Sequence, residues 1–469
     1  MKTPIGTNVD LTFPRNSETR TLMLASLGGA LEFYDFIIFA FLAPVIGKLF
    51  FSAALPDWVR QLQTFGIFAA GYLARPLGGI VMAHFGDTRG RKRMFLLSVL
   101  LMALPTLAIG ILPTYRSIGI AAPLLLLAMR VMQGIAIGGE APGAWVFVAE
   151  HARPERVGFA VGMLTSGLSS GILLGSLVAT GMSLAFGQAQ IANGLWRLPF
   201  LAGGVFGFIA MLLRRWLEET PVFEEMRRRA LVSRKLPLQT VLRSHRREMV
   251  ASALGTWMLT ATIVVLILMT PSLLQSMFRL APAQVQLANL AGTAALCLST
   301  LAVAAATDRF GIRRVAVVLL PLLVIATYAL YIGAERLPSA LLPLYTLAGL
   351  GAGSAVFAPL IMVRAFPSPV RFTGVSFSYN ISYAFFGAVT PVLVFWLAHL
   401  NPLNPANYIA VVTVLSVPAI LKAPITNISY REAAFDGDTA CIEYSGVPRS
   451  PVRLGASSPG VGKREDGMA

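Results

Sequence analysis

The sequence predicts an all-α membrane protein with twelve transmembrane helices, arranged as two pseudo-symmetric six-helix bundles. Of its 469 residues, 56% are hydrophobic and only 13% are charged, and the mean hydropathy is +0.70. Soluble domains carry about 25% charged residues, so this composition excludes an ordinary soluble enzyme. Apolar stretches long enough to cross a hydrocarbon layer of ~30 Å recur from one end of the chain to the other.

Twelve apolar segments account for the predicted helices. They lie at 21–47, 62–84, 94–113, 118–148, 158–185, 196–213, 249–277, 284–306, 315–334, 339–363, 374–399 and 406–424. The connections between them alternate in charge, with 29 of the 38 Lys and Arg residues on one side and six on the other. Because basic residues concentrate in cytoplasmic segments, we expect a multi-pass protein of a bacterial inner membrane with both termini in the cytoplasm.

The longest polar connection divides the chain into two halves. The predicted organisation is a cytoplasmic amino terminus at 1–20, a first bundle at 21–213, a cytoplasmic central loop at 214–248, a second bundle at 249–425 and a cytoplasmic, disordered tail at 426–469. The tail is rich in Gly, Pro, Ser and charge, a composition that favours solvated disorder.

Two types of inner loop recur in the same order in both halves. The first has the pattern Asp-x-x-Gly beside basic residues, with Asp87 and Gly90 in one copy and Asp308 and Gly311 in the other, 221 residues later. The second begins at Arg156 and again at Arg371, 215 residues later. Two loop types in register indicate an internal duplication, which is common in transporters.

The first loop type predicts a cytoplasmic gate. Glycine can take the backbone angles that such a sharp turn requires, and an Asp at one helix end can form a charged latch that breaks when the halves rock. The candidate gate residues are Arg75, Gly86, Asp87, Gly90, Arg91, Arg156, Asp308, Gly311 and Arg371. A simpler interpretation, topology signals plus a tight turn, explains the basic residues but leaves Asp87 and Asp308 unexplained.

Ionisable residues within predicted spans indicate where coupling chemistry lies. Each costs roughly 2.5–3.5 kcal/mol on insertion scales, and Glu32, Asp35, Arg75, Arg130 and Glu140 all fall in the first half. Spans seven to eleven carry no acid away from their ends. We therefore expect any coupling site in the first half.

The candidate proton-coupling residues are Glu32, Asp35, Arg130 and Glu140. Glu32 and Asp35 are three residues apart and share a helix face. Two neighbouring carboxylates in a low dielectric do not both ionise readily, so one is suited to carry a proton, with Arg130 as its alternating partner. Glu140 is about 15 Å from Arg130 along the same helix and forms a separate site. A static buried salt bridge is the alternative interpretation.

Several polar residues are candidates to line a substrate cavity, although each can instead form an ordinary interhelical hydrogen bond. They are Tyr34, Arg130, Gln133, Thr260, Thr262, Tyr379 and Asn380. The guanidinium of Arg130 favours a substrate that bears a carboxylate.

Several motifs together resemble the metabolite:proton symporter family of the major facilitator superfamily. They are Gly86–Arg93, Arg130–Gly134 with Gly138–Glu140, Glu32–Phe36, Ala74–Gly79, Trp196–Phe200, Leu217–Pro221 and Val370–Val375. The resemblance covers residues 21–425 and implies the major facilitator fold and proton-driven uptake of solutes such as proline, betaine, 2-oxoglutarate, citrate or shikimate. Two positions depart from the pattern. Phe33 replaces a Trp, and Arg364 replaces a Glu, which argues against an inner latch built on an acid at that position.

The predicted function is secondary active transport, as proton-coupled symport of a small carboxylate-bearing metabolite by alternating access. A uniporter or antiporter of a small organic solute on the same fold remains the alternative. The expected partners are an organic acid or zwitterion, protons and the lipid bilayer, for a monomeric protein that does not bind nucleic acid. We expect no enzymatic activity, no metal and no cofactor, because the proton gradient supplies the energy.

Overall fold

The computed structural model describes residues 15–89, 91–215 and 237–422, and nearly all of them are helical. The first half contains six long helices, which we label α1 to α6. They are α1 (Arg15–Phe41), α2 (Asp57–Arg89), α3 (Arg91–Ile111), α4 (Ala121–His151), α5 (Val157–Ala185) and α6 (Arg197–Arg215).

The second half contains six more long helices, α7 to α12. Their ranges are α7 (Arg246–Thr260, Ala261–Met269 and Thr270–Phe278), α8 (Pro282–Phe310), α9 (Ile312–Arg336), α10 (Leu341–Ala352, Gly353–Val356 and Phe357–Ala365), α11 (Arg371–Leu400) and α12 (Asn404–Leu421). The middle piece of α7 is a π-helix and the middle piece of α10 is a 3₁₀-helix. A further short helix, Pro237–Ser244, precedes α7.

A helix occupies each of the twelve predicted segments. Eleven of the described helices are long and apolar enough to cross a membrane, and the corresponding apolar part of α3, Leu96–Ile111, is shorter. The first predicted span, 21–47, is divided: α1 ends at Phe41 and a second helix, Ala43–Phe50, begins with Pro44 in its first turn, because proline is tolerated there but breaks a helix interior. The predicted tail at 426–469 lies outside the described residues.

The two halves meet through equivalent helices. Within the first half, α2 contacts α4, α1 contacts α5 and α6, and α3 contacts α4 and α6. Between the halves, α5 contacts α8, and α11 contacts α2 and α4. Under a six-helix repeat, α2 corresponds to α8 and α5 to α11, so the α2–α11 and α8–α5 contacts are equivalent. This is the arrangement expected of two pseudo-symmetric bundles.

Glycines bring α2 and α4 into backbone contact. A Cβ atom on Gly134 would overlap the carbonyl oxygen of Gly71, and one on Gly349 would likewise overlap that of Gly292. These two pairs join α2 to α4 and α8 to α10. They are separated by the same 221 and 215 residues as the recurring inner loops, so the duplication extends from the loops into the helix contacts.

The irregular part of α7 is stabilised by hydroxyl groups. The hydroxyl of Tyr345 donates to the carbonyl of Leu266 at 2.6 Å, and that of Thr270 donates to the carbonyl of Val265 at 2.8 Å. Within a bilayer the backbone groups freed by an irregular turn must find partners inside the protein. Neighbouring side chains therefore permit a π-helix in the middle of a membrane helix.

The close approach of α2 to α4 predicts a destabilising substitution. A Cβ atom on Gly78 would overlap the backbone of Ile135, so we expect Gly78→Ala to force the helices apart and cost about 1–3 kcal/mol. The measurement is the midpoint of thermal unfolding in detergent. Gly66→Ala is the matched control on the same helix, because nothing lies within 4 Å of its Cβ position. Equal midpoints for the two variants would contradict this prediction.

Candidate functional site

Arg130 is completely buried in α4 and is surrounded by aromatic rings. Its guanidinium carbon lies 4.4 Å from the ring centre of Phe36, 4.5 Å from that of Phe39 and 5.0 Å from that of Phe68. Its Nη1 donates to Oε1 of Gln133 at 2.7 Å, whereas Nε and Nη2 have no hydrogen-bond partner among the described residues. Aromatic faces attract a cation but do not use its N–H donors, so Arg130 retains capacity for an anion.

Asp35 lies in a separate gap within the first half. It is 0% exposed, and a Cβ atom on Gly203 would overlap its Oδ1, while one on Gly207 would lie 3.4 Å from its Oδ2. Neither carboxylate oxygen has a hydrogen-bond partner among the described residues. Asp35 and Arg130 therefore do not form an ion pair in this conformation, and the acid faces α6 rather than the guanidinium.

The remaining predicted residues of α1 and α4 are also buried. Glu32 is 1% exposed and Glu140 is 2% exposed, on α1 and α4 respectively. Tyr34 packs inside the first bundle, where its hydroxyl donates to the carbonyl of Pro199 at 3.1 Å and its ring contacts Phe206. The structure therefore directs Tyr34 towards α6, away from the second half, in this conformation.

The predicted threonines of α7 form local hydrogen bonds. Thr260 donates to the carbonyl of Thr256, and Thr262 donates to that of Met258, each at 2.8 Å. Both side chains are completely buried beside the start of the π-helix. Their hydroxyl oxygens can still accept hydrogen bonds, but the structure does not bring them into contact with Arg130.

Arg75 joins the two halves together with two of the predicted cavity residues. Its Nε donates to Oδ1 of Asn380 at 3.4 Å, and its guanidinium lies 5.2 Å from the ring centre of Tyr379 and 4.4 Å from that of Tyr383. Asn380 also donates to the carbonyl of Gly138 in α4 at 2.6 Å. Asn380 and Tyr379, predicted for the cavity, thus lie together with the predicted gate residue Arg75 where α2 and α4 meet α11.

Asp308 forms a contact between the halves at the inner end. It accepts hydrogen bonds at 2.7 Å from the backbone N–H groups of Gly158 and Phe159, in the first turn of α5. Arg364 of α10 lies 3.5 Å from the same carboxylate. A carboxylate at a helix amino terminus satisfies free N–H groups and interacts favourably with the helix dipole. The arginine that departs from the family pattern therefore supports a latch built on Asp308.

A second ion pair closes the same end. Nη1 of Arg371, the first residue of α11, lies 3.0 Å from Oε1 of Glu150 near the end of α4, and both are buried. Nearby, Gly311 joins α8 to α9 with a φ of 82°, as its predicted turn requires, and Arg156 is exposed directly before α5.

The first-half copy of the loop is only partly described. Gly86 and Asp87 belong to α2 and Arg91 begins α3. The side chains of Asp87 and Arg91, and Gly90 as a whole, lie outside the described part of the chain, so the role predicted for them stays a prediction.

Sequence reasoning missed three residues of these clusters. Tyr72 stacks on Tyr383 with ring centres 5.7 Å apart, one from each half, and Glu150 pairs with Arg371. The two tyrosines are 311 residues apart in sequence, so no spacing rule connects them. Glu150 was detectable, because an acid beside His151 at the end of an apolar span faces the basic side of the membrane.

Comparison with known proteins agrees with this geometry. Residues 25–270 match the profile of the Major Facilitator Superfamily. The chain is 33% identical to the inner membrane metabolite transport protein YhjE of Escherichia coli (strain K12), covering 87% of this chain and 94% of that protein. It is 30% identical to the proline/betaine transporter of Salmonella typhimurium, covering 88% and 84%.

Solved structures share the fold. The proton:xylose symporter XylE bound to 6-bromo-6-deoxy-D-glucose superposes with a TM-score of 0.74 at 14% identity, covering 87% of this chain and 96% of that one. The human organic anion transporter MFSD10 gives a TM-score of 0.62 at 19% identity, covering 86% and 99%. The relatives are transporters rather than enzymes, and the eleven apolar spans agree with a multi-pass inner membrane protein. The chain therefore belongs to the major facilitator superfamily of secondary transporters, within its metabolite:proton symporter family.

Proposed function

We propose that this protein is a proton-coupled symporter that takes up a small carboxylate-bearing metabolite by alternating access. The observation that supports it best is that Asp35 and Arg130 are completely buried in the same bundle without pairing with each other. Buried charges are costly unless they are compensated. A proton neutralises Asp35 and an anionic group neutralises Arg130, so the two residues are suited to the two transported species.

A carboxylate fits Arg130 best among common metabolite groups. The free Nε and Nη2 donors lie on adjacent nitrogens of the guanidinium, an arrangement that a carboxylate can accept with both oxygens. The names of the 29–30% identical relatives agree, since proline and betaine each carry one carboxylate. The membrane potential contributes about 2.3 kcal/mol per charge per 100 mV, so one proton is enough to drive accumulation.

Alternation between states would involve the inner contacts of Asp308 and Arg371. Both contacts join one half to the other, so they are lost when the halves separate at that end. We assign this end to the cytoplasm, with both chain termini on that side, because it carries most of the Lys and Arg. The inner-closed state is then the state that these contacts stabilise.

The decisive experiment is uptake by the full chain reconstituted in vesicles with an imposed proton gradient. The probes are labelled proline, glycine betaine, succinate and citrate, each with and without a proton-collapsing ionophore. We expect one of them to accumulate and the ionophore to abolish that accumulation. We expect Asp35→Asn to accumulate about tenfold less, because an amide cannot release a proton, while exchange without a gradient persists.

The control for Asp35→Asn is Glu155→Gln, which removes an exposed acid between α4 and α5 and should accumulate like the wild type. Wild-type accumulation that is indifferent to the ionophore would leave a uniporter or exchanger. Full accumulation by Asp35→Asn would exclude Asp35 as the proton carrier.

Arg130→Lys should raise the KM for the transported compound by about tenfold or more, because lysine cannot present two parallel N–H donors to a carboxylate. The measurement is the concentration dependence of initial uptake. Arg197→Lys is the matched control, since Arg197 donates to the carbonyls of Gly110 and Leu112 at the outer end of α3. An unchanged KM in Arg130→Lys would argue against carboxylate binding at this position.

Asp308→Asn should shift the population towards the state that is open at the inner end, by about tenfold for the loss of a charge-assisted hydrogen bond. The measurement is the distance distribution between spin labels at positions 155 and 313, which are exposed in opposite halves, in a background with Cys297 and Cys441 replaced by alanine. Glu335→Gln, an exposed acid at the other end of α9, is the control. An unaltered distribution in Asp308→Asn would show that the contact does not act as a latch.

A further inference from the structure

Gln133 connects Arg130 to a third helix. Its amide oxygen accepts from Nη1 of Arg130 at 2.7 Å, and its amide nitrogen donates to the hydroxyl of Thr106 in α3, also at 2.7 Å. The side chain is 0% exposed. Both ends of the amide are thus bound to protein, so in this conformation Gln133 holds Arg130 in place and has no contact with a cavity.

Thr106 extends this connection to the gap that contains Asp35. Its hydroxyl accepts from Gln133 and donates to the carbonyl of Met102 at 2.9 Å. Its methyl carbon lies 3.0 Å from the Cβ position of Gly203, the same position that Oδ1 of Asp35 would overlap. The chain Arg130–Gln133–Thr106 therefore runs from the aromatic surroundings of the guanidinium to the wall of the acid's gap.

We propose that Gln133 and Thr106 are positioning residues that couple the protonation of Asp35 to the availability of Arg130 for substrate. This inference rests on the symport function proposed above. While Gln133, anchored by Thr106, holds the guanidinium, no donor reaches Asp35. A buried carboxylate without a donor is costly, whereas a neutral carboxylic acid is much less so. The anchored position of Arg130 is therefore compatible with a protonated Asp35.

Release follows when Arg130 leaves Gln133. The O–H bond of Asp35 breaks, its proton passes to water that enters from the inner side, and the remaining carboxylate is neutralised by the guanidinium. Arg130 has then exchanged an amide and a substrate anion for Asp35. One cation thus serves two partners in turn, and the strength of the amide anchor decides which of them is favoured.

Removing the anchor should uncouple transport. Thr106→Val keeps the shape of the side chain but removes the oxygen that accepts from Gln133. We expect accumulation driven by a proton gradient to fall about tenfold, while exchange of the same compound without a gradient stays within about threefold of the wild type. Thr106→Ser, which keeps the hydroxyl, should restore accumulation. Gln133→Asn, too short to reach both partners, should show the same division between the two assays as Thr106→Val.

The assays use the full chain in vesicles with whichever of labelled proline, glycine betaine, succinate or citrate the wild type accumulates. Thr327→Val is the matched control, because Thr327 is equally buried and donates to the carbonyl of Leu323 at 2.7 Å, as Thr106 does to Met102. A purely structural role would lower accumulation and exchange together, along with the yield of folded protein, and would overturn the inference.

The outcomes separate this inference from the proposed function. If the wild type accumulates none of these compounds in an ionophore-sensitive way, the symport proposal fails and this inference fails with it. If the wild type is a symporter but Thr106→Val and Gln133→Asn accumulate as well as it does, only the positioning role is wrong.

Discussion

A guanidinium without water around it is the constraint on which the first half depends. Arg130 has lost its hydration, and three aromatic rings with one amide are the compensation that the described residues provide. Such compensation is incomplete, because rings attract the charge but leave N–H donors unused. The incomplete neutralisation of Arg130 makes it suited to accept a further anion, either a substrate or an ionised Asp35.

The same physical argument explains why the halves can separate at the inner end. Asp308 satisfies backbone N–H groups of α5 that a helix amino terminus would otherwise leave to water. When the halves separate, water can replace the carboxylate at those N–H groups and the N–H groups at the carboxylate. Such a contact favours the closed state by only a few kcal/mol, which suits a switch better than a large apolar interface would.

Duplication supplies the framework, and divergence between the copies supplies the function. The glycine contacts of α2 with α4 and of α8 with α10 are repeated at the same sequence offsets as the inner loops. The buried charges are not repeated: the residue 215 positions after Arg130 is Tyr345, whose hydroxyl stabilises the π-helix of α7. One half therefore carries the charges, while the other carries irregular helices at the corresponding place.

Much of the protein was determined by the sequence alone, because the bilayer imposes a simple rule. Spans of about 20 apolar residues, the recurring Asp-x-x-Gly turns and the placement of Arg and Lys were sufficient to predict twelve helices in two related bundles, the Gly311 turn and the roles of Asp308 and Arg371 as contacts at one end. These are local or periodic properties, and hydrogen bonding within each helix makes them independent of the rest of the chain.

Tertiary structure alone decided which side chains meet. Asp35 and Arg130 were expected to pair, but the rotation of α1 directs the acid to Gly203 of α6 while Gln133 holds the guanidinium. Tyr72 and Tyr383, and Glu150 and Arg371, come together only because α11 packs on the first half. Helix periodicity assigns a residue to a face of its own helix, but the neighbour of that face is set by packing between helices distant in sequence.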